Sequence, residues 1–338
     1  MAKKKKRRLK KSVRRAIYVM IAIIFAIISF NVVKNALFGH AKEKEEQKET
    51  KKEEQPVETN NKEDEEKEVK YKECMQQPYK MESLDQEFND LMASYEGKSL
   101  GLYFTDINNN YSYNLNPYVG YYSGCVTKIF GTIYLLEKAR AGEIDLNQKL
   151  KYLPQDKRPF SDLMDQHNFY EELPITTLIS YYMEVSDNTA FFIIIREFGA
   201  QAINDYMLEK HGITLHFTND HPFESYYTAE LGNESLKILY EDLKVDDEYS
   251  AIVKKAMDND SENGLNFDNI RFLHKYGEYD IYHNDIGIYD SDNPYLVTIL
   301  THYAYDDYIG KISSINKSFY EIYQKNLEEK EKYCRSIS

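Results

Sequence analysis

Tyr121-Tyr122-Ser123-Gly124-Cys125-Val126-Thr127-Lys128-Ile129-Phe130 is the stretch on which the reading of this chain turns. Aromatic residues precede a thiol, apolar residues follow, and an amine stands three residues after the thiol. On a helix that interval puts Cys125 and Lys128 on one face, a turn apart. A nucleophile in the first turn has the positive end of the helix dipole beside it. The amine can take the thiol's proton, or as ammonium favour the thiolate. Taken alone, Cys-x-x-Lys is common and more often describes a small buried thiol and a surface lysine.

Two blocks further along add to it. Ser186-Asp187-Asn188 lies 61 residues after Cys125. All three residue types cap helices well, so this block also reads as a helix start. His274-Lys275-Tyr276-Gly277-Glu278 precedes Tyr282-His283-Asn284-Asp285-Ile286-Gly287-Ile288-Tyr289, and by itself is an ordinary edge strand.

In order, Cys125–Lys128, Ser186–Asn188 and Lys275–Gly277 resemble the S-x-x-K, S-D-N and K-T-G elements of the penicillin-recognising serine hydrolases. That family holds class A β-lactamases and D,D-peptidases. The resemblance spans roughly residues 82–330, with Cys125 where the family carries its nucleophilic serine. It implies Cys125 as nucleophile, Lys128 as base, Ser186 as proton relay, and Asn188, Lys275 and Gly277 as substrate-binding residues. Lys275 would attract a substrate carboxylate, and the amide N–H groups of Cys125 and Glu278 would form the oxyanion hole. The first and last helices of that fold pack together, which implies a Cys74–Cys334 disulfide and a free Cys125.

Two departures stand out. Tyr276 replaces a small hydroxyl residue. Class A enzymes also place a deacylating glutamate in a longer loop, with an asparagine four residues on. Here the loop, Thr214–Tyr227, looks shorter. Glu224 is the only carboxylate near that interval, 38 residues after Ser186, and Thr228 follows it four residues later. The resemblance calls for no cofactor, and the eight histidines form no metal-ligand cluster in the sequence.

Outward from these blocks the pattern is strands, helices, strands, helix. Leu84, Phe88, Leu91 and Met92 recur at helical spacing within Met81–Tyr95. Ser99–Thr105 and Tyr111–Asn114 read as strands joined by the Asp106–Asn110 turn. A long, mostly helical stretch is expected from Cys125 to about Ile213, with helix starts near Pro174 and at Ser186–Asn188. Further helices are expected at Glu230–Leu243 and Tyr249–Met257, and strands at Tyr279–His283, Asp285–Tyr289 and Tyr295–Thr301. A final amphipathic helix covers Tyr308–Lys330. The fold class is therefore α+β, with an antiparallel sheet built from both ends of the domain and a helical lobe inserted between them.

The N-terminal third is different. Residues 1–15 hold ten Lys or Arg and no acid, and residues 16–38 are mostly apolar. About 18 to 23 residues suffice to cross a hydrocarbon core of roughly 30 Å. A cationic flank before the first span stays cytoplasmic. The expected plan is a cytoplasmic basic arm (1–15), one transmembrane signal-anchor (16–38), a disordered charged stalk (39–80) and a β-lactamase-like domain (81–338). The domain then faces outward from the cell membrane. Residues 39–338 contain all 56 acids but 32 of the 43 Lys and Arg, a formal charge of −24. Such a surface repels polyanions, so no nucleic-acid partner is expected.

Together these readings lead to a membrane-anchored acyl-transfer hydrolase acting through a covalent intermediate on Cys125. The substrate class implied is a β-lactam or a peptidoglycan stem peptide. The alternative is a catalytically degenerate relative that binds peptidoglycan or an envelope protein.

Overall fold

The computed structural model describes residues 59–222, 226–258, 264–302 and 308–338. The basic arm, the apolar 16–38 stretch and Glu224 lie outside the described residues. Among the described residues no helix is long and apolar enough to cross a membrane.

In chain order the elements are helices α1 (Thr59–Gln76) and α2 (Leu84–Ser94), strands β1 (Leu100–Asp106), β2 (Tyr111–Leu115) and β3 (Tyr121–Tyr122), a 3-10 turn at Gly124–Thr127, and α3 (Lys128–Arg140). Short strands β4 (Lys149–Lys151) and β5 (Glu172–Pro174) precede α4 (Ile175–Glu184), α5 (Asn188–Phe198) and α6 (Ala200–His211). Then come β6 (Tyr226–Tyr227), α7 (Ala229–Leu243) and α8 (Glu248–Met257). Strands β7 (Leu273–Tyr279), β8 (Tyr282–Tyr289) and β9 (Tyr295–His302) and the long helix α9 (Tyr308–Ile337) complete the chain.

One antiparallel sheet, ordered β2-β1-β9-β8-β7, joins the two ends of the domain. The seam is β1 against β9, with Leu102 opposite Ile299. Every residue of β1 is buried, because both faces of the sheet are covered. Helices α2 and α9 cover one face. On α2, Leu84, Phe88 and Met92 fall four residues apart and bury together. Phe88 stacks on Tyr113 at 4.2 Å between ring centroids and packs against Phe104 and Phe319. Burying each such ring contributes about 2–3 kcal/mol. The other face carries α7 and the helical lobe. Gly232 lets α7 lie close, since a Cβ there would stand 2.6 Å from Cγ2 of Thr298. Strand β7 is left at the edge, against the 3-10 turn, and this places the site.

Three expectations differ from the structure. The stretch from Cys125 to Ile213 is not continuously helical: residues 141–174 form irregular backbone and the β4–β5 pair. Gly142, Pro154, Pro159 and Pro174 interrupt any helix there, and Leu146, Leu150, Tyr152 and Leu173 still reach the core from turn or extended backbone. The strand expected at Tyr279–His283 is the hairpin between β7 and β8, with Asp280 at φ 54°. The strand that carries Lys275 begins earlier, at Leu273. Within the stretch read as a disordered stalk, Thr59–Gln76 is helical. Charged side chains one turn apart, such as Glu68 and Lys72, suit that helix. Its far end is also anchored: Cys74 and Cys334 are joined by a disulfide with Cα atoms 5.6 Å apart, and the Arg335 guanidinium sits over the Tyr71 ring.

That disulfide closes a span of 260 residues, and cross-linking so long a loop stabilises by at most about 5 kcal/mol. We expect a thiol titration of the native protein to count one reactive thiol, Cys125, and three after denaturation in reductant. Cys74→Ser should lower Tm by several degrees or more. Three thiols in the native, unreduced protein would contradict the pairing.

Candidate active site

The site is built on a backbone-to-backbone contact. A Cβ on Gly277 of β7 would stand 2.6 Å from the Cys125 amide nitrogen and 2.7 Å from that of Val126. A Cβ on Gly124 would stand 2.8 Å from the Glu278 amide nitrogen, and Gly124 has φ +55°. Only glycine suits either position. The two glycines let the 3-10 turn lie flat on the edge strand, so the amides of Cys125 and Glu278 come to one place. The Asn284 side chain holds the turn from the next strand, donating to the carbonyls of Tyr122 at 2.7 Å and Ser123 at 3.2 Å.

Helix α3 begins at Lys128, one turn beyond Cys125. The lysine is fully buried. Its Nζ donates to the Ser186 carbonyl and, at 2.8 Å, to Oδ1 of Asn188. Lys275, also buried, donates from Nζ to Oγ of Ser186 and to the carbonyl of Tyr276 at 2.9 Å. Ser186 connects α4 to α5 with φ 57°, a left-handed conformation costly for a residue with a Cβ. That backbone presents its carbonyl to one lysine and its hydroxyl to the other. Strain of this kind is kept where the surroundings over-determine it. Asn188 also accepts from the Cys125 thiol at 3.8 Å and donates from Nδ2 to the Pro159 carbonyl at 3.0 Å.

Cys125, Lys128, Ser186, Asn188, Lys275, Gly277 and the Glu278 backbone thus converge, although 150 positions separate the first from Lys275. Asp187, the middle residue of its block, is structural. It is fully buried, caps α5 through the Ala190 amide and accepts from the Met164 amide, both at 2.9 Å.

The electrostatics are strongly asymmetric. Burial alone pushes the Cys125 thiol up. The ammonium groups of Lys128 and Lys275, with hydrogen bonds from Lys128 and Ser186, outweigh it and bring the thiol below its ordinary value. Lys128 is itself pushed down by burial, against the opposing pull of Cys125 and Asp187. The arrangement can hold a thiolate, pass a proton between Lys128, Ser186 and a leaving group, and offer amides to a developing oxyanion.

The sequence reading missed a second cluster at this edge. The Tyr276 hydroxyl donates to Oε2 of Glu278 at 2.6 Å and lies 3.5 Å from Nδ1 of His283. Tyr276 and Glu278 are two apart on a strand and share a face, a signal present in the alternation once β7 starts at Leu273.

Residues 83–325 match the family described as "Beta-lactamase enzyme family". No curated protein matches the chain. Among solved structures the fold is similar to TLA-3 extended-spectrum beta-lactamase, at 20% identity and TM-score 0.61, covering 70% of this chain and 98% of that one. It is similar to PBP-A at 17% identity and TM-score 0.63, covering 73% and 98%. A beta-lactamase from Chitinophaga pinensis aligns at 16% identity and TM-score 0.61, covering 71% and 98%. These likenesses describe an α+β fold with an antiparallel sheet and a helical lobe.

The lowered thiol makes a prediction with a definite sign. Because its pKa in the folded protein lies below that of a free cysteine, thiolate should persist as pH falls through about 8.5, the ordinary midpoint. The pH profile of Cys125 alkylation by iodoacetamide should therefore have its midpoint below that value. Lys128→Met removes the cation that favours the thiolate most and should move the midpoint up. A wild-type midpoint at or above that of free cysteine, or no movement in Lys128→Met, would refute the arrangement.

Proposed function

The chain belongs to the beta-lactamase enzyme family, and on that premise we propose that it is a membrane-anchored, extracytoplasmic acyl-transfer hydrolase with Cys125 as its nucleophile. The observation that carries the reading is the meeting of two buried amines on one serine. Lys128 takes its carbonyl and Lys275 its hydroxyl, with the thiol alongside.

In the proposed reaction the Cys125 thiolate attacks the carbonyl carbon of a strained or activated amide, of the β-lactam or cell-wall peptide type. The carbonyl oxygen takes the negative charge beside the amides of Cys125 and Glu278. The C–N bond then breaks. The departing nitrogen receives a proton from the Ser186 hydroxyl, which Lys128 or Lys275 replenishes. The product is a thioester on Cys125. Water completes the cycle by adding to the thioester carbonyl and expelling the thiolate, its proton passing to the amine that acylation left neutral. Asn188 and Gly277 line the path of the substrate backbone.

The anchored, outward-facing placement rests on the basic arm at 1–15 followed by the apolar run at 16–38. The Cys74–Cys334 disulfide supports it independently, because such bonds persist in oxidising compartments.

Intact mass after incubation with a penicillin, or with a D-alanyl thioester, should show one covalent acyl adduct that maps to Cys125. Cys125→Ala should abolish it. Ser186→Ala should slow its formation by about 10²-fold or more, the usual weight of a positioned proton-transfer group. A folded protein that forms no adduct with either compound would instead favour the degenerate reading, a family member that binds without catalysis.

A further inference from the structure

The solvent-exposed charged side chain of β7 is an acid. Lys128 and Lys275 are 0% and 2% exposed, and both ammonium groups are engaged by Ser186 and its neighbours. The Glu278 side chain is 50% exposed, one residue beyond Gly277, with its own amide against Gly124. Its carboxylate is held in place by the Tyr276 hydroxyl at 2.6 Å, and the buried Tyr276 ring fixes that hydroxyl. His283, opposite Glu278 in the β7–β8 ladder, stands with Nδ1 3.9 Å from Oε1. Burial holds the imidazole below its ordinary range against the pull of Glu278, so at neutral pH it brings no positive charge to cancel the carboxylate.

We infer that Glu278 sets the charge preference of this cleft, so that on the β7 side it takes an acyl substrate bearing a cationic, ammonium-type group and disfavours one bearing a carboxylate. The inference rests on the proposed reading that Cys125 is reached through this cleft. It departs from the expectation that Lys275 draws a substrate carboxylate, because that ammonium is buried and bonded to Ser186 and the Tyr276 carbonyl while the Glu278 carboxylate is open to solvent. A solvent-reachable carboxylate on the residue whose amide lies against Gly124 acts on any charge a substrate carries near that amide, and screening by solvent leaves that effect at several-fold in rate. Tyr276 is a positioning residue: its hydroxyl keeps the carboxylate beside the backbone that carries the Glu278 amide.

Three thiol reagents of one reaction type and different charge test this without any natural substrate. They are methyl methanethiosulfonate, its 2-(trimethylammonium)ethyl analogue and its 2-sulfonatoethyl analogue. In each, the Cys125 thiolate attacks the sulfenyl sulfur, a mixed disulfide forms and methanesulfinate leaves, so no further reactant is needed. Rates would be read by intact mass on the full chain with Cys74–Cys334 oxidised. The neutral reagent corrects each protein for changes in thiolate content.

The cation-to-anion rate ratio should fall about fivefold or more in Glu278→Gln and further still in Glu278→Lys. At 1 M salt the difference between wild type and variants should shrink, which an altered packing would not produce. A ratio that stays within twofold of wild type in both variants would overturn the inference. If Cys125 resists all three reagents, the inference and the acyl-transfer reading fall together. Failure to acylate despite a ratio that shifts with Glu278 would sink the acyl-transfer reading alone.

Discussion

The contact between Gly124 and Gly277 is the constraint from which the site follows. Two backbones meet where a side chain on either would collide with amide nitrogen at under 3 Å. No other pair of residues allows the 3-10 turn to lie on an edge strand in this way. From it come the adjacency of the Cys125 and Glu278 amides, the entry of α3 at Lys128, and the reach of Lys275 toward Ser186. A shift of the turn by the width of one methyl group would separate these groups. The sheet makes the contact possible by ending at β7, whose open edge takes the turn in place of a sixth strand.

Two buried amines facing one another are costly unless their donors are satisfied. Here they are answered mainly by neutral oxygens, the carbonyls of Ser186 and Tyr276, the Ser186 hydroxyl and the Asn188 amide oxygen. The nearby acid, Asp187, spends both its oxygens on backbone amides. Among the described residues, the Cys125 sulfur is the acidic group whose charge answers the lysines directly. The same cations that make the thiol acidic are thus themselves eased by its ionisation. The left-handed Ser186 belongs to this balance, since one residue serves both lysines only in that conformation.

Away from the cleft the structure holds its two ends together. β1 and β9 pair along their length, α2 and α9 pack on the same face, and Cys74 is bonded to Cys334. Edge strand and helical lobe are both fastened to this closed half of the domain, which leaves the cleft between them on fixed supports.

Much of this was legible in the residue order. The helical spacing of Leu84, Phe88 and Met92, the apolar runs of β1 and β9, and the capping power of Asp187 each act over a few residues, so local pattern was sufficient. The three blocks named the chemistry of the cleft for the same reason, because each carries its own residue types at short spacing. The reading of a mostly helical 125–213 did not separate out the irregular stretch at 141–174, because apolar content alone does not distinguish a helix from non-helical backbone that also reaches the core. The hairpin at Tyr279–Tyr282 was misread because tyrosine suits turn rims and strands alike. What only tertiary structure decided was which groups face one another. That Lys128 and Lys275 share Ser186, that Tyr276 holds Glu278, and that Lys275 is buried while Glu278 is open all depend on how an edge strand meets a turn more than a hundred residues away. No local propensity encodes that meeting; it results from packing two backbones at glycine distance.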